Sequence, residues 1–254
     1  MLTTNTLQKE NKLYLILCVV LISTILIAEI IGVKIFSLEK LLNIEQFDFS
    51  IFGIEHIHLD FTAGVLIWPI VFILTDIINE YFGIKGVKFI SFLSAIIICY
   101  FFIMIKLSIS LPSSDWWINK TILSGEIVNR DQAFTMTLSQ GQWIIIGSLI
   151  AFLIGQLLDA YIFKRLKTYL NGRNIWLRAT LSTIASQLID SFIVLFIAFY
   201  IGDNWSFQQI MAVCIVNYLF KSSSAIILSP LIYATQYVID LYLGKELANK
   251  LKQS

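Results

Sequence analysis

Two carboxylates one helical turn apart, Asp76 and Glu80, lie inside an apolar stretch, residues 61–83, that is long enough to enter a lipid bilayer. The stretch reads FTAGVLIWPIVFILTDIINEYFG; Trp68-Pro69 interrupts it near the middle and Gly83 closes it. A carboxylate near the centre of a membrane helix costs roughly 2.5 to 3.5 kcal/mol on the insertion scale. The pair must therefore lie at the water interface or meet a partner or ligand. Further along, Gln156 and Asp159 stand three residues apart, and so do Gln187 and Asp190. That spacing puts amide and carboxylate on one helical face, and two such pairs in adjacent, oppositely directed helices form a shared polar seam. Asp159, near Lys164 and Arg165, either snorkels to the surface or turns inward; Asp190 lies deeper. Lys221 lies about 21 Å along its helix from residue 207. At that depth it needs an acidic partner, in a bundle-holding salt bridge, or an anionic or carbonyl-bearing ligand. Asn217 and Ser224 share its face, and Glu29 lies in the second half of the first apolar run.

The elements that must position these residues are membrane helices. Hydrophobic residues make up 57% of the chain, charged residues only 14%, and mean hydropathy is +0.80, beyond the apolar share of a soluble domain. Net charge is +1, and no basic domain is present to hold nucleic acid. Cys18, Cys99 and Cys214 sit in apolar runs without metal-ligand spacing and read as small core hydrophobes.

Apolar runs cover residues 13–36, 61–83, 87–110, 141–163, 175–201 and 207–241. The first is too long for a cleaved signal peptide and reads as an uncleaved helix. Residues 47–61 alternate apolar and polar around Gly53, as a short surface β-hairpin would. His56 and His58, two apart on a strand, share a face better read as solvated than as metal-binding. Trp116 and Trp117 are placed as interfacial anchors. The N-terminal tail, the turn after Gly83, residues 164–178 and the C-terminal tail carry twelve Lys or Arg, against five on the other side. By the positive-inside rule both termini are cytoplasmic, and six spans satisfy that parity. The expected fold is an all-α integral membrane protein: six transmembrane helices in one bundle, with a short extracytoplasmic β-hairpin between the first and second. Residues 1–12 and 242–254 are expected as cytoplasmic tails flanking a transporter domain of residues 13–241.

If Glu29, Asp76, Glu80, Asp159, Asp190 and Lys221 all faced lipid, the cost would reach about 18 kcal/mol. Most must therefore turn inward. An inward cluster of carboxylates, amides and one amine, among helices interrupted by proline, describes a path or pocket for a polar small molecule. No zinc-protease, nucleophile-elbow or phosphate-loop motif is present, so an enzyme is the poorer explanation and no cofactor is implied.

The segments LTDIINEYFG with the preceding Pro69, WIIIGSLIAFLIGQLLD, IWLRATLSTIASQLIDSFIVLFIAF and NYLFKSSSAIILSPLIY, in that order, resemble the queuosine precursor transporter family of bacterial six-helix membrane proteins. The resemblance implies uptake of 7-deazaguanine precursors of queuosine, chiefly the cyano and aminomethyl forms, across the inner membrane for tRNA modification. It carries over to Asp76, Glu80, Gly83, Gln156, Asp159, Gln187, Asp190 and Lys221; Glu29, Asn217 and Ser224 are added from burial and helical face. A guanine-like edge presents two adjacent donors that one carboxylate can accept, and a carbonyl that wants a donor. Asp190 or the Asp76/Glu80 pair suits the first, and Gln187, Gln156 or Lys221 the second. Trp68, Tyr81, Phe82 or Trp143 could stack on the ring. The partners expected are the 7-deazaguanine and the lipid bilayer. Small residues at Gly141, Gly147, Ser148, Ala151 and Gly155 leave room for close helix contact, within the chain or in a homodimer. The alternative is a substrate-binding subunit of an energy-coupling-factor importer for another vitamin or nucleobase, although the first run lacks the Ala-x-x-x-Ala docking face of such subunits.

Overall fold

The computed structural model describes residues 4–45, 49–51, 54–57, 59–121, 125–139, 142–202 and 204–253. Gly53, His58 and Gly141, singled out above, lie outside them. In chain order the elements are α1 (Thr4–Ile31), β1 (Ile35–Ser37), α2 (Leu38–Leu42), β2 (Phe49–Ile51), β3 (Ile54–Ile57), β4 (Asp60–Thr62) and a 3-10 turn (Ala63–Leu66). The long α3 (Trp68–Ser110) follows, then α4 (Asp115–Ile118), β5 (Asn119–Thr121), β6 (Ile127–Asn129) and α5 (Arg130–Leu138). The chain finishes with α6 (Gln142–Tyr169), α7 (Ile175–Leu195) running into a π-helical turn (Phe196–Ile201), α8 (Phe207–Leu228), α9 (Pro230–Leu243) and α10 (Lys245–Gln253).

Among the described residues five stretches are long and apolar enough to cross a membrane: Gln8–Ile31, Trp68–Ser110, Ile175–Ile201, Phe207–Leu228 and, within Arg130–Tyr169, the helix α6. The chain is a mostly helical, multi-pass membrane protein. The outer face of the second half of α3 shows why: Phe89, Phe92, Ile96, Tyr100, Ile103 and Leu107 follow one another at helical spacing and are all exposed, a stripe suited to lipid.

Five helices replace six expected runs because the second and third form one element. A straight helix of 43 residues would extend about 65 Å, twice the hydrocarbon thickness. It is not straight. Gly83 adopts φ 65° and ψ −178°, a non-helical conformation that suits glycine. A Cβ built at Gly86 would lie 2.8 Å from Phe82 Cβ and 3.6 Å from Ile78 Cγ2. An unbroken helix keeps such residues one and two turns away, so the second arm of α3 turns back on the first. The last expected run, 207–241, is divided at Ser229-Pro230 into α8 and α9, since proline cannot donate to the helix ladder. Residues 245–253, expected as a tail, form an amphipathic helix that buries Leu247, Ala248 and Leu251 and packs on α3 and α9.

The turn between α6 and α7 lies at the same end of the bundle as the Gly83 bend. Between α6 and α7, Asn171, Gly172 and Asn174 all take left-handed backbone angles, φ 50°, 74° and 52°, which Asn and Gly tolerate best. This reversal lays α7 antiparallel along α6 in the most extensive helix interface of the fold. Lys9 donates to the Tyr242 carbonyl, at 3.4 Å, and the Tyr14 hydroxyl to the Gly86 carbonyl, at 2.9 Å. Both ends of the described chain therefore gather beside the Gly83 bend. At the opposite end, three two-stranded antiparallel ladders form: β1 with β4, β2 with β3 and β5 with β6. There Glu39, fully buried, accepts the Ser37 hydroxyl and the Leu59 amide, each at 2.8 Å. Phe61 packs on Phe220 of α8, with ring centroids 4.2 Å apart.

Candidate functional site

Polar side chains occupy three levels along the bundle. The first is the end that carries the Gly83 bend. Glu80, on the first arm of α3, accepts Arg178 of α7 through both oxygens, from Nη1 at 2.9 Å and Nη2 at 3.2 Å. Lys167 of α6 lies 3.2 Å from Glu80 Oε2 and donates to the Glu80 carbonyl at 3.1 Å. The Arg178 guanidinium also donates to the Gly172 carbonyl and lies over the Phe163 ring. Glu80 and Arg178 are 4% and 1% exposed, so this is a buried, bidentate, multiply bonded pair, the geometry in which a buried ion pair repays its desolvation. Beside it the Tyr81 hydroxyl donates to Asp240 Oδ1 at 2.6 Å, and Lys252 lies 2.6 Å from the other oxygen. A cavity of about 360 Å³ opens here, lined among others by Glu80, Lys167, Arg178, Gln236 and Lys252.

One turn further in, the character changes. Asp76 and Asp159 are 1% and 0% exposed, and their carboxyl groups come within hydrogen-bonding reach of each other across α3 and α6. Asp159 Oδ1 accepts Thr183 and Ser186 of α7, at 3.3 and 3.2 Å. Asp76 Oδ1 and Asp159 Oδ2 have no hydrogen-bond partner among the described residues, nor have either of the amide atoms of Gln156 or of Gln187. Both glutamines are buried, at 2% and 1% exposed. Asn79, by contrast, ties α3 to α6 by donating to the Ala160 carbonyl at 2.9 Å.

The third level faces the other end. Lys221 Nζ of α8 lies 2.8 Å from Asp190 Oδ2 of α7, the two side chains 14% and 17% exposed. Asp190 sits against Gly155, where an added Cβ would come within 3.4 Å of the Asp190 Cβ, so a larger residue would push the carboxylate away from α6. Glu29 of α1 is close enough to Asp190 for their charges to interact. Asn217 and Ser224 donate to the Val213 and Phe220 carbonyls of their own helix. Trp68 packs between Phe72 and Phe152, with centroids 6.2 and 6.3 Å away.

The structure thus brings Asp76, Gln156, Asp159 and Gln187 into one interface and pairs Asp190 with Lys221. It separates Glu80 and Tyr81 from that interface, committing them to Arg178, Lys167 and Asp240. Arg178, Lys167, Asp240 and Lys252 were counted above only as loop and tail residues or not at all. A signal was present: Arg178, Ser182, Ser186 and Asp190 recur every four residues, as do Thr183, Gln187 and Ser191 beside them, two polar rows along one side of an apolar helix. Among the described residues no three of His, Cys, Asp or Glu assemble as a metal site.

Residues 62–235, spanning every level of this polar interior, match the model of the family described as "Putative vitamin uptake transporter". The chain belongs to this family. It is also similar to the "Probable queuosine precursor transporter" of Bacillus subtilis, 29% identical over 73% of this chain and 76% of that protein. The "Queuosine precursor transporter" of Escherichia coli is 26% identical over 74% of this chain and 77% of its own length. The Haemophilus influenzae "Probable queuosine precursor transporter" is 27% identical over 66% and 64%. No solved structure matches the chain. Membership of this family gives the chain a transporter role, which points away from an enzyme.

Proposed function

We propose that this member of the family takes up 7-deazaguanine precursors of queuosine, the cyano and aminomethyl forms, across the bacterial inner membrane for tRNA modification. In this reading α3 crosses the membrane twice, so that six crossings leave both termini in the cytoplasm. The names of the relatives support the solute class. The observation that carries the reading is the set of buried, unpartnered carboxamides at Gln156 and Gln187. An amide buried without partners costs about 1 to 3 kcal/mol, a cost that a bound ligand offering both donors and acceptors removes. A deazaguanine is such a ligand: away from its carbonyl edge, the N–H of its five-membered ring stands beside a ring nitrogen that accepts, and each carboxamide supplies one acceptor and one donor group.

Asp190 and Lys221 complete the fit. The pair is partly accessible, 14% and 17% exposed, and a ligand with two adjacent donors and a carbonyl can take the place of each partner for the other. The carboxylate then receives the ring N–H and exocyclic amine, and the ammonium the carbonyl. The test is queuosine in the tRNA of bacteria that neither make nor import the precursors, with this chain supplied and either precursor added. Restored queuosine supports the reading; none, with the protein shown in the membrane, sinks it. The Asp190→Asn variant should reach the membrane and restore nothing, and full restoration by it would refute the role of Asp190.

A further inference from the structure

From the carboxyl pair at the middle level we infer a second binding site: Asp76 and Asp159, with the hydroxyls of Thr183 and Ser186 and the neighbouring Gln156 amide, hold a monovalent cation, a proton or Na⁺, that couples to solute movement. The inference rests on the transporter reading above but not on the identity of the solute.

The argument begins with charge. From α3 the pair faces Glu80 and from α7 it faces Arg178, but these two are bonded to each other, and Lys167 of α6 is bonded to Glu80 as well. Two acidic groups are thereby left in the dry centre of the bundle without a cationic side chain of their own. The hydroxyls of Thr183 and Ser186 donate to Asp159 Oδ1, and Ser182 lies within reach of the same carboxyl group. Asp76 Oδ1 and Asp159 Oδ2 remain unserved and fully enclosed, and two carboxyl groups in mutual reach are stabilised by a small cation between them.

A second observation points the same way. Gln156 lies one turn before Asp159 on the same face of α6, and Gln187 follows Ser186 on α7; both are more than nine-tenths buried with neither amide oxygen nor nitrogen bonded. Oxygen ligands from three helices, two of them carboxylates, make a site for a cation that has shed its water. Because Gln156 adjoins both this pair and the proposed solute site, filling one site affects the other. Asp190 is held by Lys221 and has Glu29 close by, whereas no cationic side chain is bonded to the inner pair, which assigns the coupling role to that pair.

The test uses purified full-length protein without any precursor. Its melting temperature is followed in one arm as Na⁺ replaces choline at constant ionic strength and pH 8, and in the other as pH falls from 8 to 6 without Na⁺. A ligand that binds only the folded state raises the midpoint, and a rise of about 3 °C or more is expected in one arm. The Asp76→Asn/Asp159→Asn variant, whose amides resemble neutral carboxyl groups, should lose that rise. No rise in either arm, or an equal rise in the variant, overturns the inference. Should the variant not fold, the wild-type arms still decide, since dependence on neither cation leaves nothing to hold. In proteoliposomes the gradient of the identified cation should drive solute accumulation in the wild type; accumulation that ignores both gradients would overturn the coupling role. Failure of deazaguanine to be the solute would show instead as no precursor-dependent rise in melting temperature, with the cation effect intact.

Discussion

Glu80 and Asp76 are one turn apart on the same helix, equally buried, and placed in opposite circumstances. Glu80 has a bidentate arginine, a lysine and the end of the α6–α7 turn around it. Asp76 meets another carboxylate and has an oxygen with no donor. The first arrangement closes the bundle; the second leaves binding capacity unspent. On the proposed reading, it is the charges without partners, rather than the charges as such, that mark where the solute and the cation bind.

Four substitutions break or sharpen that contrast. The largest effect is expected from Arg178→Ala, which leaves Glu80 buried beside Lys167 alone. Removing one member of a buried pair costs about 3 to 5 kcal/mol, so the detergent-solubilised protein should melt far lower and accumulate poorly. Unchanged melting would show that the pair does not close the bundle. At the middle level the sign reverses. Gln187→Met and Gln156→Met keep volume while removing amides that bond nothing, so stability should hold or rise by about 1 kcal/mol, while solute uptake falls at least tenfold. Uptake left intact by both would remove the amides from the solute path. The smallest effect is expected from Tyr81→Phe, which deletes the hydroxyl on Asp240. About 1 kcal/mol of stability should be lost, read as a drop of a few degrees in melting temperature, with uptake retained. Abolished uptake at normal stability would draw Tyr81 into the solute path, as the expectation that its ring stacks on the ligand requires.

How much of this was legible beforehand varies with the kind of physics involved. The apolar runs, the shared face of Gln156 and Asp159 and the depth of Lys221 follow from helical period alone, and the structure buries both residues of the first pair and joins the lysine to Asp190. Arg178 was hidden because a basic residue near a loop has an ordinary topological explanation. Only the left-handed turn at Asn171, Gly172 and Asn174 swings it back over Phe163 and into reach of Glu80. Asp240 and α10 escaped for a related reason: a short, charged C-terminal segment looks like a tail until Leu247, Ala248 and Leu251 find α3 and α9 to cover them. Pairing between elements distant in sequence leaves no local period to read.

The bend at Gly83 has a consequence for how the protein is made. The arm before it, from Trp68 to Phe82, is only about 22 Å long and carries Asp76, Asn79 and Glu80, a poor candidate to partition into lipid by itself. The arm after it is strongly apolar, and no hydrophilic loop separates the two, only Lys85 and Lys88 near the corner. On the proposed reading, in which α3 crosses the membrane twice, the two arms enter as one helical hairpin: the apolar arm carries the polar one across, the lysines stay behind as its cap, and the residues least suited to lipid arrive as cargo of their neighbour before α6 and α7 have been synthesised to receive them.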